Sequence, residues 1–224
     1  MTDLQLLDVP RTKAQARRSY DRMSSFYDWM AGSSEWRLTK AGLEMLDPRD
    51  SQRILEIGAG TGRSLQFLSQ KIGPQGQAIG LDISGGMLRV AADRLGSNAP
   101  LNNFRLVQAD GANPPFPNRI FDALFMSFTL ELFNTPELPV LLERCRRLLK
   151  PGGRFQVVSL ARPQPPGLAV RIYEFFHRLT PSLIDCRPIP TAALLTQAGF
   201  TLLEQKRISM WGLPVDIICA ANNA

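Results

Sequence analysis

Short apolar runs alternate along the middle of the chain with segments of helical periodicity. The runs are rich in aliphatic residues and predict β-strands, while apolar residues three and four positions apart, such as Leu65, Leu68 and Ile72, predict amphipathic helices. This alternation is typical of a parallel sheet covered by helices on both faces. The predicted strands are RILEIG (53–58), QAIGLDI (77–83), FRLVQAD (104–110), FDALFMSF (121–128) and GRFQVVSL (153–160).

The pattern changes around the fifth strand. A helix at 136–153 is expected to end at Pro-Gly-Gly just before that strand. After the strand, an aromatic-rich helix at 168–181 lies outside the alternation and is a candidate lid over a pocket. One more helix is predicted at 190–200, followed by two strands that meet at a tight turn around Trp211 and Gly212. So short a connection requires an antiparallel pair.

Length and composition fit one globular domain. The chain has 224 residues, of which 44% are hydrophobic and 21% charged, enough to bury a full core. A net charge of +6 would suit an anionic partner such as nucleic acid or a membrane, but the Lys and Arg residues are scattered. An ordinary solvated surface is therefore favoured.

The cysteines and the N-terminal residues narrow the class of protein further. Cys145, Cys186 and Cys219 lie far apart and His177 is the single histidine, so the spacing of a metal site is missing and a reducing compartment is expected. The first residues lack a long apolar core, and nowhere do about eighteen apolar residues follow one another. We therefore expect a cytoplasmic protein without a metal, a signal peptide or a membrane span.

Three glycines, Gly58, Gly60 and Gly62, follow the first predicted strand. Glycine accepts positive φ and has no Cβ, so a ligand can rest against backbone N–H groups where a strand turns into a helix. In an open α/β sheet this turn lies at the carboxyl ends of the strands, where ligands bind. A plain strand–helix turn would explain a lone glycine pattern equally well.

Acidic residues at two later strand ends favour a ligand site over a plain strand–helix turn. Asp82 ends the second strand, about twenty residues after the glycine turn, where a carboxylate can bind both hydroxyls of an adenosine ribose. Asp110 ends the third strand. There its carboxylate can accept a hydrogen bond from an adenine amino group while Ile83 or Met87 packs on the adenine ring. These strand ends together predict a site for an adenosine-containing molecule.

Four motifs, LEIGAGTG, GLDISGGML, VQADGANPPFPNRIFDALFMSF and LLKPGGRF, resemble in order and spacing those of class I S-adenosylmethionine-dependent methyltransferases. The resemblance implies S-adenosylmethionine as cofactor and an α/β, Rossmann-like fold, with a seven-stranded, mostly parallel sheet, an antiparallel last strand and helices on both faces. Within this class the chain is most similar to the ubiquinone and menaquinone biosynthesis methyltransferases, on YDRMSSFYDWM (20–30), MSFTLELF (126–133) and RIYEFFHRLTP (171–181).

The resemblance assigns segments and cofactor contacts by position. Glu56 would organise groups, or a water, around the methionyl ammonium of the cofactor, although a carboxylate there can also simply cap nearby amides. The expected segments of the single domain 1–224 are an N-terminal helical cap (1–46), a cofactor-binding core (50–160), a lid insertion (162–190) and a C-terminal helix and strand pair (191–224). The implied cofactor contacts are Glu56, Gly58, Gly60, Thr61, Gly62, Asp82, Ile83, Met87, Asp110, Gly111 and Ser127.

An aromatic chamber for a small lipophilic acceptor is expected beside the cofactor. Tyr20, Met23, Tyr27 and Met30 recur at helical spacing as one apolar stripe, which is usually core, although tyrosines can also line a pocket. Arginines largely off this stripe, Arg17, Arg18 and Arg22, make the outer face a candidate contact with anionic lipid. The chamber is predicted from Tyr20, Tyr27, Phe128, Phe133, Tyr173, Phe175 and Phe176.

The reaction requires few catalytic groups from the protein. A sulfonium methyl group is already activated, so the chain must mainly hold the reactants in line and exclude water. A general base is optional; the candidates are Glu131, Asp28 and His177, of which His177 is more simply an ordinary histidine on an aromatic helix. The quinone enzymes typically carry an Arg near Glu131. An acid there would favour an amine acceptor unless Glu131 merely faces water.

Several functions stay open on the sequence alone. A quinol-type ring is the first expected acceptor and the amine of a phospholipid head group the second. An NAD-linked oxidoreductase would share the glycine turn and Asp82, but the pattern is GxGxG and no Tyr-x-x-x-Lys pair is present. A cofactor-binding protein without catalysis is a further rival. Nucleic-acid modification is disfavoured because no Asn-Pro-Pro-Tyr follows the fourth strand, and the oligomeric state is left open.

Overall fold

The computed structural model describes residues 12–24, 27–97, 102–163, 165–179 and 186–223, with side chains throughout these ranges except at 27–32 and 176–179. No helix in this described part has the length and apolar character that a membrane crossing requires. The helices are α1 (Lys13–Met23), α2 (Tyr27–Leu46), α3 (Arg63–Lys71), α4 (Gly85–Ser97), α5 (Leu138–Leu148), α6 (Leu168–Leu179) and α7 (Thr191–Gln197). The strands are β1 (Arg53–Ile57), β2 (Gln77–Asp82), β3 (Phe104–Gln108), β4 (Phe121–Ser127), β5 (Leu149–Leu160), β6 (Phe200–Met210) and β7 (Leu213–Asn222).

The strands form one seven-stranded sheet with the order β3-β2-β1-β4-β5-β7-β6. Strands β1 to β5 are parallel, and β7 runs antiparallel to both of its neighbours, β5 and β6. Trp211 and Gly212, both with positive φ, form the turn between β6 and β7. The predicted α/β class and the antiparallel end of the sheet are therefore confirmed.

The strand order reverses at β1, which lies between β2 and β4. Connections that leave a central strand pair in opposite directions open a crevice at the carboxyl ends of those strands. The segments that follow β1, β2, β3 and β4 therefore converge at one edge of the sheet, where a ligand site is expected.

Two apolar cores cover the faces of the sheet. Side chains of a strand alternate between the faces, so in β1 Leu55 and Ile57 belong to one core and Ile54 to the other. The first core packs against α5 and α7, and the second against α2, α3 and α4. Burial on both faces explains why the central strands read as nearly continuous apolar runs.

Helix α2 approaches the sheet closely because a glycine lies at the contact. Gly42 faces β5, and a Cβ built at Gly42 would overlap Val158 Cγ2. The same helix reaches the carboxyl end of β4, where Thr39 Oγ1 lies 2.8 Å from Ser127 Oγ. This packing places Glu35, Trp36 and Thr39 of α2 next to the crevice.

The predicted stripe across 20–30 does not lie on one helix. Helix α1 ends at Met23 and α2 begins at Tyr27. Ser24 Oγ donates to Asp21 O at 3.1 Å, and such a side-chain bond to a main-chain carbonyl competes with helix continuation. The prediction of a single helical stripe is therefore wrong.

The start of the fifth strand also differs from the prediction. Strand β5 begins at Leu149, directly after α5, and Leu149 pairs with Phe121 of β4. The register shifts between Phe121 and Ala123, and Gly152 has a φ of 74°. Pro-Gly-Gly is therefore an irregularity within the strand rather than a turn before it.

Candidate functional site

A cavity lies at the carboxyl ends of β1, β2 and β4, with α1 and α2 on its other side. Its volume of about 220 Å³ far exceeds the roughly 10–15 Å³ that one water requires, so an organic ligand can enter. Most of the predicted site residues line it. They are Tyr20, Glu56, Gly58, Gly60, Thr61, Asp82, Ile83, Met87, Asp110, Gly111, Ser127, Phe128 and Phe133.

The three glycines of the first turn have positive φ for different reasons. A Cβ at Gly60 would meet no atom within 4 Å, so the backbone of Gly60 faces open space in the cavity. A Cβ at Gly58 would overlap Thr129, and one at Gly62 would lie 2.8 Å from the Cβ of Ala91 in α4. Only Gly60 therefore leaves room for a ligand, whereas Gly62 serves helix packing and does not line the cavity.

Asp82 holds the glycine turn in place. Its Oδ2 accepts from Gly60 N at 2.9 Å and its Oδ1 accepts from Ser84 N at 2.8 Å. Burial raises the pKa of Asp82, while these backbone hydrogen bonds lower it. The carboxylate joins two strand–helix turns and also lines the cavity, where its remaining lone pairs can accept from ligand hydroxyls.

Glu56 of β1 presents a buried acceptor to the cavity. Burial raises the pKa of Glu56 to about 8, although Ser64 donates a hydrogen bond to it. Among the described residues, Glu56 Oε2 has no hydrogen-bond partner. Because an unpaired buried oxygen is costly, a donor on a bound ligand would stabilise the site. This orphaned oxygen, with the open backbone at Gly60, fits the ammonium-bearing cofactor that the sequence implies.

Helix α1 is attached to the loops around the cavity at both of its ends. Lys13 Nζ lies 2.8 Å from Asp110 Oδ2, after β3, and 2.6 Å from Glu137 Oε1, after β4. Near the other end, Asp21 Oδ1 accepts from Ser84 Oγ, after β2, at 2.7 Å. These contacts place α1 across the strand ends as one wall of the cavity.

Aromatic side chains form the apolar part of the wall. Phe128 has a φ of 48°, a conformation that strains a bulky residue, and its N–H donates to Val158 O at 2.8 Å. Phe133 lies beyond the same strand end, and Trp36 of α2 lies opposite with the guanidinium of Arg63 at 4.2 Å from its ring centroid. The cavity therefore combines a polar floor with an apolar wall.

Sequence reasoning missed the side chains that α2 contributes. Glu35, Trp36 and Thr39 all line the cavity, and Lys13 and Arg63 were also missed. Burial raises the pKa of Glu35 to about 7. The i, i+1, i+4 spacing on α2 would allow a shared face, but it is equally typical of an ordinary helix. Only the packing of α2 on the sheet identifies the face of α2 that lines the cavity.

Besides Gly62, three predicted residues with described side chains lie away from the cavity. Tyr173 OH donates to Cys186 O at 2.9 Å, and Phe175 is 59% exposed on α6. Glu131 is completely buried, and its Oε1 accepts from Leu160 N at 3.1 Å. The structure thus contradicts both expectations for Glu131, since it neither lines the cavity nor faces water.

Four other predicted side chains, those of Tyr27, Asp28, Phe176 and His177, lie outside the described part of the chain. Their roles therefore stay predictions. In the part that is described, no group of three His, Cys, Asp or Glu side chains is arranged to hold a metal ion.

Glu131 belongs to a buried cluster with Arg187. The Arg187 guanidinium donates to Glu131 O at 3.3 Å, to Phe133 O at 2.6 Å and to Thr135 Oγ1 at 2.7 Å. Burial raises the pKa of Glu131 to about 8, against the opposing effects of the Leu160 N–H and the charge of Arg187. The cluster ties the loop that carries Phe133 to the segment after α6.

We expect Glu131→Gln to stabilise the protein increasingly as the pH rises above about 4.5. The raised pKa means that the folded state binds more protons than the unfolded state between about pH 4.5 and 8, so the contribution of Glu131 to stability falls as the pH rises through this window. The amide mimics the neutral acid. Thermal melts should therefore show nearly equal Tm values at pH 4, and a variant Tm that exceeds the wild-type Tm by a growing margin as the pH rises, on the order of 3 °C or more at pH 8.5.

The matched control is Glu44→Gln, because Glu44 is exposed on α2 and pairs only loosely with Lys40. It should change Tm little at either pH. A Glu131→Gln variant whose Tm is lower than that of the wild type at pH 8.5 would contradict the conclusion that burial outweighs Arg187 and disfavours the charged form of Glu131.

Comparisons with known proteins indicate a methyltransferase. A family model described as a methyltransferase domain matches residues 54–153. A demethylmenaquinone methyltransferase of Listeria monocytogenes serotype 4a (strain HCC23) is 28% identical over 181 residues, which are 81% of this chain and 74% of that protein. The ubiquinone/menaquinone biosynthesis C-methyltransferase UbiE of Pseudomonas fluorescens (strain SBW25) is 32% identical over 157 residues, 70% of this chain and 59% of that protein.

A solved structure shares the fold. One chain of the complex between the Haloferax volcanii Trm112 methyltransferase activator and its methyltransferase superposes with a TM-score of 0.74 at 18% identity, covering 92% of this chain and 98% of that chain. At this identity the likeness concerns the fold alone. With the strand order, the strand-end residues and the family match together, the chain is a class I S-adenosylmethionine-dependent methyltransferase that resembles the ubiquinone and menaquinone biosynthesis group.

Proposed function

We propose that this methyltransferase methylates a quinol-type ring on a small lipophilic molecule. The observation that carries the proposal is the division of one cavity into a polar floor, with Glu56 and Asp82, and an aromatic wall, with Phe128 and Phe133. The floor suits a charged adenosyl compound, and the wall suits an apolar ring. The names of the relatives in Listeria and Pseudomonas, which refer to menaquinone and ubiquinone, favour the same class of acceptor.

The strand-end residues have separate tasks in holding the cofactor. Asp82 accepts from the ribose hydroxyls, while Ile83 and Met87 pack against the adenine. Asp110 accepts from the adenine amino group with a lone pair that Lys13 and the Ala112 N–H leave available. The remaining predicted contacts, Gly58, Gly60, Thr61, Gly111 and Ser127, supply backbone and hydroxyl groups.

Once bound, S-adenosylmethionine supplies a methyl group on a positively charged sulfur, already activated for transfer. The protein then needs to align the acceptor with this methyl group and exclude water. We assign the exclusion of water to the cap (1–46), through α1 and α2, which line the cavity. The lid (162–190) stays a prediction, because none of its described residues lines the cavity, although an ion pair of 2.8 Å between Arg162 and Glu174 ties α6 to the end of β5.

Glu56→Gln should weaken cofactor binding without unfolding the protein. We expect a loss of about 10- to 100-fold in the affinity for S-adenosylmethionine, because the variant lacks a charge-assisted hydrogen bond to the ammonium group. The Tm of the free protein should not fall, since the raised pKa keeps Glu56 largely protonated near neutral pH and the amide resembles the neutral acid. Titration calorimetry measures the affinity, and exposed Glu204→Gln on β6 is the control. Unchanged affinity would refute this role for Glu56.

The acceptor is tested by incubation with isotopically labelled S-adenosylmethionine and two candidate acceptors. We expect label in a short-chain demethylmenaquinol and none in phosphatidylethanolamine. The second acceptor has less support now that Glu131 lies in the core, although Glu35 still places an acid in the cavity. Label in the phospholipid alone, detected by mass spectrometry, would replace the quinol proposal with amine methylation.

An exposed apolar stripe on α6 supports peripheral contact with a membrane. Leu168, Ile172 and Phe175 are 75%, 49% and 59% exposed and lie four and three residues apart, on one helical face beside exposed Arg171. Lipophilic acceptors are stored in membranes, and the arginine favours anionic lipid.

The contact predicts sedimentation with vesicles that contain phosphatidylglycerol, and much less with phosphatidylcholine vesicles. Ile172→Ser should reduce the bound fraction severalfold, whereas Val140→Ser, at an exposed apolar position on α5, should not. Equal sedimentation of both variants, or none of the wild type, would exclude this surface.

A further inference from the structure

Helix α2 brings to the cavity an acid, Glu35, that is not among the strand-end residues assigned to the cofactor. Glu35 lies one helical turn before Thr39, which contacts Ser127 at the end of β4. Glu35, Trp36 and Thr39 all line the cavity. The acid therefore lies on the α2 side of the cavity, near the end of β4.

Every other carboxylate of the cavity has a partner. Asp82 accepts from backbone amides, Glu56 from Ser64, and Asp110 and Glu137 both bind Lys13. For Glu35, no hydrogen bond or ion pair is recorded within the described residues, and burial raises its pKa to about 7. A partly buried acid without a partner is available to exchange a proton with a ligand.

The surrounding charges do not neutralise this acid. Lys13 is held by two carboxylates, and Arg63 lies over the Trp36 ring. Apart from Glu35 itself, the charged side chains around the cavity are Lys13 of α1, Arg63 of α3, Glu56, Asp82, Asp110 and Glu137 at the strand ends, and Glu131 behind the wall.

We propose that Glu35 is the proton acceptor for the molecule that receives the methyl group, an assignment that rests on the proposed quinol acceptor. Phe128, Phe133 and Trp36 provide the apolar surface for the ring, and the hydroxyl of the ring points to the carboxylate of Glu35. None of the bases named from the sequence is needed for this step.

The step balances without a further reactant. The hydroxyl proton of the quinol passes to the Glu35 carboxylate, and the oxygen electrons move into the ring. The neighbouring ring carbon forms a bond to the methyl carbon while the bond between that carbon and sulfur breaks, and its electron pair stays on the now neutral sulfur. The proton on the methylated ring carbon is then lost to water, which restores the aromatic ring. Glu35 returns its proton to the ring oxygen, which restores the hydroxyl, so that one proton is released overall.

The first test compares the kcat of wild type, Glu35→Gln and the control Glu44→Gln with a short-chain demethylmenaquinol. We expect wild-type kcat to rise with pH through about 7, where the carboxylate forms. Glu35→Gln should lose about 10²- to 10⁴-fold in kcat together with this pH dependence, whereas KM for S-adenosylmethionine stays unchanged and Tm does not fall. Wild-type kcat and an unchanged pH profile in Glu35→Gln would overturn the assignment.

The second test needs no turnover, so it separates this assignment from the choice of acceptor. In protein labelled with ¹³C at the Glu carboxyl carbons, one resonance that titrates near neutral pH should be missing in Glu35→Gln. Its midpoint should shift when 1-naphthol binds to the complex with S-adenosylhomocysteine. If the wild type fails to methylate the quinol but this shift is present, the proposed methyl acceptor is wrong, whereas the assignment of Glu35 as proton acceptor holds. If the resonance or its shift is absent, Glu35 is not the proton acceptor.

Discussion

The carboxylate of Asp82 is the contact on which the cavity depends. It accepts from backbone amides of two different strand–helix turns, after β1 and after β2, and so fixes the spacing between them. The second turn in turn holds α1, because Ser84 donates to Asp21. A single buried acid thus connects the open backbone at Gly60 to the helix that closes the cavity. A side chain with one acceptor oxygen could not satisfy both turns.

The division of the cavity follows from how its two sides are built. Strand ends supply backbone amides and acids, since parallel strands all end at the same edge. The residues just after β4, above all the strained Phe128, supply apolar surface because their backbone turns back toward the sheet. Methyl transfer needs this combination, because polar groups hold the charged methyl donor and an apolar surface excludes water around the acceptor.

The sequence predicted the features that neighbouring residues determine. Glu56, Gly60 and Asp82 could be placed because each belongs to a strand end whose position follows from the apolar pattern. Glu35 was missed because its role depends on which face α2 turns to the sheet, and that follows from a distant contact of Gly42 with Val158. For the same reason Glu131 was misplaced, since Arg187, far along the chain, draws its loop into the core.

The most direct test of the account is a crystal structure with S-adenosylhomocysteine. The account predicts ribose hydroxyls within hydrogen-bond distance of Asp82, an amino group next to Glu56 Oε2, and the sulfur facing the aromatic wall. Density for the ligand elsewhere, or a nicotinamide nucleotide bound in its place after soaking with both compounds, would contradict it.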